Sequence, residues 1–252
     1  MIQLCALASG SNGNCYYIGN ESEAVLIDMG ISNRQLKKRM QETGLSLQKV
    51  KALFISHEHV DHIKGMRSVT DCNPIAGFAT LKTYESARKD YRSGKISFFS
   101  PGDVITVGSM KIHTFSKKHD AADPVSFRIE IDNRHIAVLT DLGEMNETIS
   151  AHLGKCEAAF LETNYDHNML MTGNYPYYLK KRVASAYGHL GNHQALELVK
   201  SINDSPLRVI FLSHISAQNN RVELALEAFK DLEQSLRIIA PSGHEPTEVV
   251  EF

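Results

Sequence analysis

Three imidazoles and a carboxylate crowd the segment Ser56-His57-Glu58-His59-Val60-Asp61-His62, which directly follows the apolar run Val50 to Ile55. In extended chain, residues two apart face the same way, so His57 and His59 can point at one cation, while Asp61 and His62, at the start of the next turn, point elsewhere. Two metal ions are better served by this spacing than one. Neutral imidazole with carboxylate is a ligand set for zinc, and it also accommodates manganese or iron. The alternative is a solvated polar loop after a strand, which has no need of so many His and Asp side chains. Four ligands cannot fill two sites, so others must come from elsewhere. His119 follows the run ending at Phe115, Asp141 lies just past Leu139, His214 just past Leu212, and Asp28 closes Ala24 to Asp28. Taken singly, each has an ordinary explanation: Asp141 as a turn cap, His214 as a satisfied core histidine, Asp28 as an Asx-turn before Gly30. Repeated placement at strand exits is the argument, because such residues meet in one crevice at the rim of a sheet.

The elements that must position them are legible as alternating short runs. Ile2 to Ala8, Cys15 to Gly19 and Ala24 to Asp28, separated by the turn-forming 10–14 and 20–22, read as neighbouring antiparallel strands. Ser32 and Gln35 form a capping box for a helix carrying Leu36 and Met40 on one face and stopping at Gly44. A helix is expected over about Thr80 to Tyr91. Ile96 to Phe99, Val104 to Val107 and Met110 to Phe115 read as strands, and Val125 to Ile131 with Ile136 to Leu139 as a hairpin with one wet face. Later strands at Ala158 to Leu161, Leu207 to Leu212 and Leu236 to Ala240 alternate with helices, the last helix carrying Val222, Ala225, Leu226, Phe229 and Leu232 on one stripe. Strands before helices, twice over, predict sheets packed between helical layers.

Composition narrows the function classes. Lys plus Arg number 27 against 29 Asp plus Glu, so no global field draws in nucleic acid or an anionic membrane, and any polyanion must be gripped locally. Cys5, Cys15, Cys72 and Cys156 have no Cys-x-x-Cys spacing, and the first apolar stretch lacks a basic leader, which reads as reduced thiols in a cytoplasm. No run approaches the roughly 20 apolar residues of a membrane span. With no Trp and twelve His, function is to be sought at the histidines.

The order Leu26-Ile27-Asp28-Met29-Gly30, then His57-x-His59-x-Asp61-His62, then His119, Asp141 and His214, resembles the metallo-β-lactamase fold hydrolases over almost the whole chain. The opening Leu7-Ala8-Ser9-Gly10-Ser11-Asn12-Gly13-Asn14-Cys15, with His119-Asp120-Ala121 and Gly188-His189-Leu190-Gly191-Asn192, resembles the YycJ (WalJ) subgroup, related to RNase Z and RNase J. The resemblance implies an α/β fold, a four-layer αββα sandwich. It implies a first metal held by His57, His59, His119 and Asp141, and a second by Asp61, His62, Asp141 and His214, with Asp141 bridging and Asp28 supporting the ligands. Residues 1–252 are expected to form one domain. Only 48 positions separate Asp141 from His189, too few for the large domain inserted there in RNase J-like nucleases.

Two divalent cations, zinc foremost, would lower the pKa of a bridging water and present hydroxide to an electrophile at neutral pH, which makes a hydrolase. Asp61 is the nominated general base. His189, flanked by Gly188 and Gly191, resembles the extra histidine of phosphodiesterase members and is nominated to stabilise the leaving oxygen, the alternative being an incidental histidine in a helix-capping loop. Between them, Tyr175, Tyr177 and Tyr178 could stack bases while Lys180, Lys181 and Arg182 meet phosphates. An amphipathic helix with solvated lysines explains the same residues, and Lys117 and Lys118 read as a solvated pair. The expected activity is cleavage of nucleic acid by a DNA exonuclease-like phosphodiesterase. The competing expectations are a small-molecule hydrolase, of glyoxalase II thioesterase or lactamase type, and a binding protein that keeps its metals structurally.

Overall fold

Predominantly apolar runs such as Cys15–Gly19, Ala24–Ile27 and Ala158–Glu162 become strands buried on both faces, and two sheets result. The structure, a computed structural model, describes residues 1–202 and 204–252. The first sheet runs through β1 (Gln3–Ala8), β2 (Cys15–Gly19), β3 (Ala24–Ile27), β4 (Val50–Phe54), β5 (Ala76–Thr80) and β6 (Ile96–Phe99). Its first three strands are antiparallel neighbours, as their turns predict, and β3 to β6 are parallel. The second sheet contains β7 (Val104–Val107), β8 (Met110–Ser116), β9 (Val125–Ile131), β10 (Arg134–Leu139), β11 (Ala158–Glu162), β12 (Val209–Ser213) and β13 (Arg237–Ile239). It is antiparallel from β7 to β10 and parallel from β10 to β13. Near the C-terminus β14 (Val250–Glu251) returns to pair with β1.

Helices α1 (Asn33–Glu42), α2 (Val60–Ile63), α3 (Met66–Cys72) and α4 (Leu81–Ser86) fall between strands of the first sheet. Helices α5 (Glu147–Leu153), α6 (His167–Thr172), α7 (Tyr177–Val183), α8 (Asn192–Ser201) and α9 (Val222–Phe229) fall between strands of the second. Alternation along each strand sorts the core into three layers. Val25, Ile27 and Phe54 face Phe127, Phe160 and Phe211 between the sheets. Their neighbours Leu26 and Leu53 pack under Leu36, Met40 and Val69 of α1 and α3, and Leu139, Leu161 and Ile210 pack under α5, α8 and α9. The architecture is the expected αββα sandwich.

Two local expectations are corrected. The helix expected over Thr80 to Tyr91 is the six-residue α4, because Ala87 turns extended at φ −65°, ψ 149°. The expected wet face of the β9 hairpin is covered: Ser126 and Arg128 are buried, and Arg128 donates to His135 Nδ1 at 2.7 Å and to His152 Nδ1 at 3.2 Å. No helix among the described residues is long and apolar enough to cross a membrane. The parallel strands of each sheet deliver their C-terminal ends to one rim, where the polar residues collect.

Candidate metal centre

Each histidine or aspartate singled out at a strand exit reaches this rim. Three of them do so in strained backbone: Asp28 follows β3 at φ 62°, Asp141 follows β10 at 54°, and His214 follows β12 at 56°. L-residues pay for left-handed φ, Asp and His less than most, and such outliers persist where the surroundings hold them. Here the left-handed residue ends each strand abruptly and turns a polar side chain across the sheet edge. His59 is the extended N-cap of α2, whose first turn carries Asp61 and His62. The His57 and His59 rings lie 4.6 Å apart, and His119 completes a trio with them.

Hydrogen bonding fixes which ring nitrogen faces inward. Asp28 accepts from Ser56 N (2.7 Å), from Ser56 Oγ (2.8 Å) and from His62 Nδ1 (2.7 Å). Ser56 Oγ, its proton committed to Asp28, accepts from His57 Nδ1 at 2.9 Å. His119 Nδ1 donates to the Gly188 carbonyl at 2.9 Å, and His214 Nδ1 and His189 Nδ1 both donate to Glu162 Oε1 at 2.8 Å. Five imidazoles thus commit Nδ1 to the protein and leave Nε2 for the interior of the cluster. There His62 Nε2 lies 3.0 Å from Asp141 Oδ2, His214 Nε2 lies 3.4 Å from Asp61 Oδ2, and His119 Nε2 lies 3.3 Å from His59 Nδ1. His57 Nε2 and Asp141 Oδ2 are buried with no aligned hydrogen-bond partner among the described residues. Buried polar atoms left open in this way call for a ligand. The donors gather within 4.8 Å as His57, His59 and His119; as Asp61, His62 and His214; as His57, His62 and Asp141; and as Asp141, Glu162, His189 and His214.

The charge pattern is that of a site carrying protons where cations would sit. Burial opposes a charge on His62, but Asp141, Asp28 and Asp61 outweigh it and raise its pKa well above the usual value. His214 is likewise pushed up to about 10, burial being overcome by Asp141, Asp61 and Glu162. Burial is also outweighed at Asp141 by His214 and His62, which hold it well below the carboxylate range, and at Glu162, drawn to about 2 by His189 and His214. His57 and His119 go the other way. Burial first, then neighbouring cations that include Lys117, lower His57 well below its usual value and His119 to about 4. The signs give a prediction for the protein stripped of cations. His62 and His214 contribute stability below the ordinary histidine pKa of 6.5, lost as pH rises toward about 10. His57 and His119 contribute stability above 6.5, lost as pH falls toward about 4. Chemical denaturation after chelation should therefore find maximum stability near pH ~6.5, and stability climbing steadily from pH ~7 to ~9 would contradict it.

The residues open onto a cleft of about 250 Å³ lined in part by His59, Asp61, Asp141, His189, Tyr175 and Arg182. Of the proposed substrate contacts, Tyr175 and Arg182 line this cleft, Arg182 Nε donating to Asp120 Oδ2 at 2.6 Å. Tyr177 and Tyr178 are 70% and 73% exposed, Lys181 Nζ stands 4.8 Å from the Tyr177 ring centre, and Lys180 donates to the Met171 carbonyl. Lys118 pairs with Glu144, but Lys117 is not solvated: it is buried and donates to the Thr140 carbonyl at 2.6 Å.

Sequence reasoning missed Glu162. Fully buried at the end of β11, it accepts from His189, His214, Leu142 N (2.7 Å) and Leu190 N (3.0 Å). The strand-exit rule that found Asp141 applies to it unchanged. Close packing also fixes Gly30: a Cβ there would stand 1.6 Å from the Asp61 carbonyl oxygen and 2.5 Å from Asn14 N. Gly30→Ala should push α2 outward, costing about 3 kcal/mol or more and lowering Tm by roughly 6–12 °C. A melt indistinguishable from wild type would contradict that contact.

Residues 23–215 match the Beta-lactamase superfamily domain. The chain is 31% identical over 229 residues to Exodeoxyribonuclease YycJ of Bacillus anthracis, covering 89% of this chain and 86% of that protein. It is 30% identical over 224 residues to Exodeoxyribonuclease WalJ of Streptococcus pneumoniae, covering 87% and 83%. Among solved structures it resembles the metallo-beta-lactamase fold protein YhfI of Bacillus subtilis, with TM-score 0.71, 15% identity, and coverage of 98% and 100%.

Proposed function

Because this chain belongs to the metallo-β-lactamase superfamily, in the branch of the YycJ and WalJ proteins, we propose that it is a binuclear metal-dependent phosphodiesterase acting on DNA as an exonuclease. The observation that carries the reading is the inward-facing set of Nε2 and carboxylate atoms, with His57 Nε2 buried and without a hydrogen-bond partner among the described residues, a donor set that fits divalent cations. His57, His59, His119 and Asp141 would hold one ion; Asp61, His62, Asp141 and His214 would hold the other. The nitrogen-rich set favours zinc, with manganese and iron as alternatives. Bound there, the ions supply a water of lowered pKa and offset charge growing on a phosphoryl group.

The protein's own groups do the rest. Asp61, partly exposed at the cleft, takes the proton of the attacking water. His189, its Nδ1 held by Glu162, presents Nε2 to the leaving oxygen, and Arg182 with Tyr175 receives the strand beside it. Asp28 keeps His62 aimed. Cys5, Cys15, Cys72 and Cys156 are all free, which supports a reducing, cytoplasmic setting.

Loading the second ion must expel the protons held by His62 and His214, so its affinity should rise about tenfold for each displaced proton per pH unit. Calorimetry in buffers of different ionisation enthalpy reads the proton release directly, and binding independent of pH between ~6 and ~8 would contradict it. The functional test uses DNA labelled at the 5′ or 3′ end, single- and double-stranded, beside RNA and a thioester. The reading expects stepwise nucleotide release from one DNA end, lost with chelator and restored by zinc or manganese. Efficient thioester turnover without any DNA cleavage would replace it with the small-molecule reading.

A further inference from the structure

In the opening turn Ser9-Gly10-Ser11-Asn12-Gly13-Asn14, Ser11 and Asn12 are exposed, but Ser9 and Asn14, given no role above, are buried against the cluster. Asn14, Tyr16 and Ser9 are almost wholly inaccessible, and their hydrogen bonds have only one consistent direction. Gly10 N can only donate, so Asn14 Oδ1, 3.0 Å from it, accepts, and the amide Nδ2 must face the other way. Tyr16 Oη donates to the same Asn14 Oδ1 at 3.0 Å. With that proton committed, Ser9 Oγ is the donor to Tyr16 Oη at 3.1 Å, and Ser9 Oγ in turn accepts from His214 N at 2.8 Å. At the other end Asn14 Nδ2 reaches Asp61 Oδ2 at 3.2 Å and lies 3.0 Å from His62 Nε2. The backbone N of Asn14 also donates to the Asp61 carbonyl at 2.7 Å.

We infer that Ser9, Tyr16 and Asn14 form a polar strut that positions one metal site selectively, tying the left-handed His214 to Asp61 and His62. The strut touches Asp61, His62 and His214, and makes no contact with His57, His59 or His119 among the hydrogen bonds of the described residues. Its bond to His214 N helps hold the φ of 56° that turns the imidazole into the cluster. With a cation on His62 Nε2, the two protons of Asn14 Nδ2 still have Asp61 Oδ2 and the Gly10 carbonyl, 3.2 Å away, as acceptors. These are positioning residues, acting through the ligands. Partners of this kind cost about 10–100-fold in metal affinity when removed.

The inference rests on the metal reading, and its test separates the two. Zinc alone is titrated against a chromophoric chelator into wild type, Ser9→Ala, Tyr16→Phe, Asn14→Ala and His214→Ala, with melting and near-ultraviolet circular dichroism recorded for each. His214→Ala identifies which of the two binding steps belongs to Asp61, His62 and His214. Each strut variant is expected to weaken that step about 10–100-fold and to leave the other within about twofold. Tyr16→Phe keeps the ring, packed 4.8 Å from Phe160, so at least one variant cuts the strut with the core filled. Equal weakening of both steps, which general loosening would produce, or no change in either, overturns the inference. If wild type takes up no zinc, the metal reading falls first.

Discussion

Asp141→Asn is expected to lower DNA cleavage about a thousandfold while leaving the protein folded. The carboxylate is almost fully buried, 3.0 Å from His62, 3.4 Å from His214, 3.5 Å from His189 and 3.7 Å from His119, so one negative charge serves four imidazoles. Asparagine has the same shape and tolerates the left-handed φ of 54°, so the substitution removes charge and little else. Removing one electrostatic partner from a water-excluded site costs about 2.7–4 kcal/mol of transition-state stabilisation, a loss of roughly 10²–10³ in rate. The kcat/KM on end-labelled DNA, measured beside metal content, checks it. A variant that keeps both ions and full turnover would show that Asp141 is not shared between them.

Glu162→Ala should be the most damaging change to stability at the site. One completely buried carboxylate satisfies two ring N–H groups and two backbone N–H groups, and alanine leaves all four without an acceptor. At about 1–3 kcal/mol for each orphaned donor, partly relieved as the rings relax toward the cleft, the loss is about 4 kcal/mol or more. For a chain of this size that is a fall in Tm of roughly 8–16 °C. Glu162→Gln should fall between alanine and wild type, because its amide nitrogen must face donors whichever way it is turned. In the alanine variant His189 and His214 lose the acceptor that fixes their Nδ1 protons. A melt within ~2 °C of wild type for Glu162→Ala would remove Glu162 from the account.

The cluster of histidines and aspartates was legible because its residues stand at the ends of apolar runs, where a strand must end and a polar side chain has no packing reason to be. Asp28, Asp141 and His214 are read in this way, and so are His57 and His59. Glu162 obeys the same rule but opens the polar stretch Glu162-Thr163-Asn164, where a carboxylate looks like the first residue of a wet loop. Lys117 and Arg128 were misread for a different reason. Their burial is decided by Thr140, His135 and His152, residues close only after the second sheet has formed, and no local pattern encodes that proximity. The αββα layering was legible in the order of strands before helices, twice over, and in the family resemblance, and the uninterrupted burial of β3 and β11 agrees with it. The return of β14 to the edge of β1 was not, since two residues carry no periodicity.

Crystals grown with ample zinc or manganese, with diffraction recorded on both sides of that metal's absorption edge, would place any bound ions among the histidines and aspartates of the cluster. Two anomalous peaks per chain are expected, one among His57, His59, His119 and Asp141, the other among Asp61, His62, Asp141 and His214. No peak among these side chains, from protein saturated with the ion, would contradict the binuclear reading.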